Sequence, residues 1–184
     1  MSWSFIPLAS IPSQPWRNGG GVTRELLAWP TRKDWQVRIS VADVTADGPF
    51  SRFVEIERWF AVLEGEGVAL LPADRIHRLT PRSEPLVFDG GEPVNCELLG
   101  GATRDFNLMA APGKGRLRRV RGSQLVLTSE PALVAVYAHA QGAQVMFGTE
   151  VVEVPAAHLA WRLQDEPLTG AVHGPDALWV EVLR

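Results

Sequence analysis

The sequence predicts an all-β fold, a sandwich or barrel of short strands with few helices, and three observations carry that reading. The 184 residues hold 17 glycines and 14 prolines, well above the roughly 12% that the two average together. Only 31–47 and 50–64 run longer than 11 residues without either one, and helix interiors seldom tolerate them. Next, Trp35, Val37, Ile39 and Val41 alternate with Gln36, Arg38, Ser40 and Ala42, the period-2 pattern of a strand with two unlike faces. Last, the apolar runs that follow recur at about ten residues with turn signals between them, a spacing unlike that of βαβ units.

Element by element, the strand over 35–42 runs into Ala46-Asp47-Gly48-Pro49, a turn cluster in which glycine supplies positive φ and proline fixes its own. Window 50–64 is ambiguous: Phe53, Ile56, Phe60 and Leu63 fit helical spacing, yet a strand is expected from Arg58 onward. Gly65-Glu66-Gly67 then predicts a hairpin into 68–71. Further strands are expected at 86–88, 94–99, 105–109, 125–128, 132–138, 144–147, 150–154, 159–163 and 178–183. Between Lys114 and Arg121 lie five basic side chains, read as a solvated connection over 111–122 between two halves, 1–110 and 123–184, of one domain spanning 1–184.

Composition removes several function classes. Eighteen basic against 21 acidic residues leave a net charge of −3, which gives no field for nucleic acid. No apolar run approaches the roughly 20 residues of a membrane helix, and the N-terminal segment, interrupted by Pro7 and Pro12, is not expected to be a secretory signal. Cys96 is the only cysteine, so no internal disulfide forms and a reducing, cytoplasmic setting is expected.

The chemistry inventory is thin. His77, His139, His158 and His173 are far apart in sequence, with no H-x-H and no H-E-x-x-H, so no standard metal set is present. G-x-S-x-G is absent as well, and Cys96 within VNCELL reads as a small buried hydrophobe. What stands out is PWRNGGGVTREL at 15–26. Its three consecutive glycines suit either a backbone that approaches a ligand or another strand closely, or a bulge at a strand entry. Arg38 and Ser40 share one strand face, as do Asp105, Asn107 and Met109 in DFNLM. In an open sheet these faces meet water; in a small barrel they line a lumen, where arginine among Asp, Asn and Ser suits a carboxylate.

These blocks, PWRNGGGVTREL, WQVRISVADVTADGPFSRF at 35–53, FDGGEPVNCELLGG at 88–101 and DFNLM at 105–109, resemble the HutD/Ves family in order and spacing. The resemblance implies a cupin-like β-barrel with two barrel-like halves. It also implies a regulator of histidine utilisation, a governor that binds a pathway intermediate such as N-formylglutamate, formiminoglutamate or urocanate. By motif position, the ligand site would draw on Trp16, Asn18, Gly19, Gly20, Gly21, Thr23, Glu25, Arg38, Ser40, Arg58, Asp105 and Asn107. Arg38 and Arg58 would pair the carboxylate, while Glu25 or Asp105 would hold an arginine or accept from a formimino nitrogen. Glu55 and Glu57 stand where the family usually has Gly and Asp before the retained Arg58. The absent H-x-H points to no metal, and no cofactor is expected. The implied partner is a small carboxylate-bearing metabolite, binding is favoured over catalysis, and a homodimer is compatible with each reading. The alternatives are an enzyme acting on a formyl or formimino derivative, and a stress-induced interaction protein.

Overall fold

The computed structural model describes residues 2–184, and the one helical element among them is a 3-10 turn at Leu8–Ser10. The strands run in chain order as β1 (Ser4–Pro7), β2 (Gln14–Pro15), β3 (Gly21–Pro30), β4 (Trp35–Val44), β5 (Gly48–Pro49) and β6 (Glu57–Glu64). There follow β7 (Val68–Pro72), β8 (His77–Leu79), β9 (Leu86–Asp89), β10 (Val94–Leu98), β11 (Thr103–Ala110) and β12 (Gly115–Thr128). The chain ends with β13 (Ala132–Ala138), β14 (Ala143–Phe147), β15 (Glu150–Val154), β16 (His158–Gln164) and β17 (Leu168–Leu183). They form two compact units, one of Pro12–Gly113, the other of Lys114–Arg184 with the N-terminal residues up to Ile11.

In the Pro12–Gly113 unit, a six-stranded sheet in the order β2-β3-β4-β11-β6-β9 accompanies a four-stranded sheet, β5-β10-β7-β8. Their shared core sets Ala42, Val44, Phe60 and Val62 against Val68, Leu70, Leu79, Val94 and Cys96. Cys96 is the small buried hydrophobe the sequence suggested; burial pushes its thiol up to about 12, with Asp105 adding to the rise.

Strand β4 explains the two-faced pattern. Val37, Ile39 and Val41 are at most 2% exposed, so the apolar face is buried. The opposite face carries Ala42 and Val44 into the inter-sheet core and then Ser40 and Arg38 onto the wall of a cavity. Of the two fates left open for that face, solvent or lumen, the lumen is the one observed.

Two local expectations are corrected. Gly65-Glu66-Gly67 does not close a hairpin: β6 pairs with β11 and β9, β7 with β10 and β8, so the turn carries the chain from one sheet to the other. Gly67 has φ +118°, and a Cβ there would come within 2.2 Å of the Leu79 carbonyl oxygen, which leaves glycine as the only residue that fits. In the ambiguous window 50–64 the strand expected from Arg58 onward is present, beginning at Glu57, and 50–56 is a loop. The basic stretch expected as a connection over 111–122 becomes β12 from Gly115. There Leu117 and Arg119 are buried while Arg116 is exposed, and Arg119 pairs with Asp176 at 2.8 Å. The chain is thus divided at 113/114, and the first residues join the later unit through β1 pairing with β16.

In that later unit, β1-β16-β13-β17-β14-β15 form one sheet, with β12 also on β17. Strand β13 is buried along its whole length, and Val134, Val136, Val145, Val172 and Trp179 centre its core.

Candidate functional site

Beyond the apolar core of the Pro12–Gly113 unit, the inter-sheet space opens into a cavity of about 630 Å³. Strand register puts its polar side chains in rows. Arg38 faces Met109, which faces Arg58; one row deeper, Ser40 faces Asn107, which faces Phe60. Deeper again, Thr23 and Asp105 flank Ala42. A period-2 strand pattern on four neighbouring strands is sufficient to collect these residues, Asp105 apart, on one wall.

Arg58 is the centre of the site. It is 6% exposed and donates from Nη2 to Asn107 Oδ1 at 2.9 Å and from Nη1 to the Ser51 carbonyl at 3.3 Å. Its Nε is buried without an acceptor. Its guanidinium carbon lies 4.9 Å from the Phe50 ring centroid, 5.1 Å from that of Phe88 and 5.9 Å from that of Phe53, distances at which aromatic faces attract a cation. No carboxylate among the described residues forms a salt bridge with it. Burial, and then the charge of Arg38, pull its pKa down to about 10, so the cation is retained at neutral pH but held at a cost.

Arg38 is held differently. Its Nε donates to Glu25 Oε2 at 2.8 Å, and Glu25 also takes Arg32 at 3.1 Å. Glu25 is not on the cavity wall; it positions Arg38, as one of its two expected roles required. Trp16 Nε1 donates to Thr23 Oγ1 at 2.7 Å, and the Asn18 side-chain oxygen accepts from Gly20 N–H at 3.0 Å. Of the twelve residues drawn from the motifs, Trp16, Asn18, Thr23, Arg38, Ser40, Arg58 and Asn107 line the cavity.

Gly19, Gly20 and Gly21 do not line it. Gly19 takes φ +73°, and a Cβ on Gly21 would meet the Asp43 carbonyl oxygen at 2.5 Å and the Trp16 ring at 3.3 Å. Gly21 therefore lets β3 close onto β4 with Trp16 packed across it, while Gly19 supplies the left-handed turn before it. Of the alternatives weighed for them, close approach to another strand accounts for Gly21.

Asp105 also lies off the cavity wall. It is fully buried, with Thr103 Oγ1 donating to Oδ2 at 2.8 Å and Oδ1 without a partner. It holds no arginine, contrary to one expected role. Burial, with a smaller push from Asp43, raises its pKa to about 7 against the lowering effect of the Thr103 bond.

The rings around Arg58 were missed in the sequence. Phe50 and Phe53 sit on the 50–56 loop, and Phe88 reaches Arg58 because β9 pairs with β6, Phe88 opposite Arg58. The D-G-P-F-S run carrying Phe50 was the available signal. The loop is clamped by Phe53 N–H donating to Gly90 O and Gly90 N–H donating to Ile56 O, both at 2.7 Å. Glu55 adopts φ +60°, a left-handed conformation at the place where the resemblance leads one to expect glycine.

Sheet order, inter-sheet core and internal cavity together define a cupin-like β-barrel protein. The fold alone is shared with oxalate decarboxylase of Bacillus subtilis, at 8% identity and a TM-score of 0.62 over 97% of this chain and 76% of that one. The HutD family profile matches residues 8–180, and the chain belongs to the HutD family. It is 35% identical over 144 residues, 76% of each chain, to an uncharacterised 21.2 kDa protein in the hutC 3′ region of Pseudomonas putida. It is 30% identical to protein Ves of Cronobacter sakazakii, over 90% of this chain and 82% of that one. The crystal structure of HutD from Pseudomonas fluorescens SBW25, in a formate condition, superposes over the whole of both chains with TM-score 0.85 and 28% identity. The family is associated with the histidine-utilisation locus.

Proposed function

We propose that the protein binds a small carboxylate-bearing metabolite of histidine utilisation in the Pro12–Gly113 cavity and acts as a regulator of that pathway through binding. The observation that carries this reading is Arg58: a buried guanidinium on the wall of a 630 Å³ cavity, fixed by Asn107 and Ser51 and lacking any carboxylate of its own. A ligand carboxylate would supply the missing charge, taking charge-assisted hydrogen bonds from Arg58 and from the outward nitrogens of Arg38, whose Nε is already committed to Glu25. Ser40 and Thr23 offer hydroxyls for a neutral polar group, while Phe50, Phe53 and Met109 would cover an aliphatic or planar body.

Binding without turnover fits the acids in place. Glu25 is engaged by two arginines and Asp105 does not reach the cavity wall. The test is thermal unfolding with N-formylglutamate, formiminoglutamate, urocanate and uncharged amide analogues. The acids are expected to raise the Tm in a concentration-dependent way and the amides to have no effect. Equal stabilisation by amides, or none by any acid at millimolar concentration, would overturn the proposal.

A further inference from the structure

The other unit buries an arginine of its own. Arg162 lies on β16 opposite Val134, with its side chain 7% exposed. Its guanidinium carbon stands 4.9 Å from the Trp3 ring centroid and 5.0 Å from that of Phe147, and the two rings are parallel, 6.0 Å apart. Phe147 has its place because residue 170 is glycine: a Cβ there would come within 2.1 Å of the ring. Across the tight β14–β15 turn, Glu150 pairs with Phe147 and accepts from Arg162 Nη1 at 3.0 Å. That carboxylate comes from a side chain 45% exposed. Two donors are then left over: Arg162 Nε and Trp3 Nε1 are both buried, and neither has an acceptor among the described residues.

Buried donors in native proteins are met by water or by an ion. Here the chemistry favours an ion. A guanidinium and an indole N–H are donors only, and the carboxylate that pairs with Arg162, Glu150, is already engaged. A weakly hydrated anion gains from both unpaired donors, whereas a water molecule needs acceptors for its own hydrogens. We propose that Arg162 and Trp3 form a site for a small monovalent inorganic anion of halide or nitrate size, with the Glu150 carboxylate as its built-in competitor. The site is independent of the metabolite cavity: it uses none of the same residues and stands whether or not the carboxylate reading holds.

Bromide is the probe. Crystals of the full chain and of its E150Q variant, grown with sodium bromide, are expected to give an anomalous peak within hydrogen-bonding distance of Arg162 Nε and Trp3 Nε1, stronger in E150Q. In solution, replacing gluconate by bromide at constant ionic strength should raise the Tm of E150Q. Adding W3F, which keeps an aromatic ring but removes the indole donor, should weaken bromide by about threefold to tenfold. A water molecule at that position with no anomalous peak in either crystal, a bromide confined to the Arg38–Arg58 cavity, or a W3F response equal to that of E150Q alone would each overturn the proposal.

Discussion

Arg58 and Arg162 make the same local picture in two units of one chain, and they end differently. Each is a buried guanidinium packed against aromatic rings, and each has an Nε without an acceptor. Arg162 takes a carboxylate from its own unit, Glu150, supplied by a neighbouring hairpin. Arg58 takes only a side-chain amide and a backbone carbonyl, and faces a cavity. A buried cation on an aromatic bed therefore does not by itself mark a metabolite site. What marks one is the charge the protein leaves unbalanced beside a volume that an outside molecule can fill.

The carboxylates extend the contrast and give the largest expected effect on stability. Asp105 is buried with no cation, whereas Glu150 is half-exposed on Arg162. With a folded pKa near 7 against about 3.9 unfolded, folded Asp105 keeps its proton over a range where the unfolded chain has lost it. The contribution of Asp105 to stability then falls as pH rises from about 4 to about 7 and stays flat above that. Asp105→Asn removes this term, so its advantage over wild type in urea denaturation should grow by roughly 2–4 kcal/mol across that window. A constant difference would mean that Asp105 is ionised in the folded protein.

A smaller effect is expected at the clamp of the 50–56 loop. In Gly90→Ala the new Cβ would meet the Ile56 carbonyl at 2.7 Å and Arg58 Cγ at 3.2 Å. The variant should lose about 1–3 kcal/mol of stability and several-fold in metabolite affinity, read by denaturation and calorimetry. Glu25→Gln keeps a hydrogen bond to Arg38 but releases its charge. Metabolite affinity should change by no more than about tenfold, with steeper salt dependence. Glu150→Gln leaves the buried Arg162 guanidinium with an amide in place of its carboxylate and should cost about 1–3 kcal/mol, yet for metabolite affinity it is the smallest effect of all, with no change expected.

Much of the fold was legible because period-2 alternation in β4 and short apolar runs between turn signals survive in the sequence: β4, β10, β13 and β15 fall where these put them. The same signal put Arg38 with Ser40, and Asp105 with Asn107, on shared strand faces, but whether those faces met solvent or a lumen was settled only by the packing of the sheets. Charge density hid the first part of β12, whose arginines obscure the alternation of Leu117 with its more exposed neighbours, while its end was expected at 125–128. Helical spacing in 50–64 obscured the loop that brings Phe50 and Phe53 to Arg58. Phe88 could not be read at all, since its contact with Arg58 depends on β9 pairing with β6, a non-local choice. Glycine content was informative about turns but ambiguous about purpose, as Gly21 serves strand approach and Gly19 a positive-φ turn, and neither lines the cavity.

The measurement that bears most directly on the central claim is titration calorimetry of the wild type, Arg58→Gln and Arg162→Gln with one histidine-pathway acid that stabilises the wild type. Arg58→Gln removes an unbalanced buried charge, so the free protein should keep its stability while affinity drops by at least about tenfold. Arg162→Gln should bind within about twofold of wild type even though it unfolds more easily, since Glu150 loses its partner. Equal affinity loss in both variants, or undiminished binding in Arg58→Gln, would contradict the account.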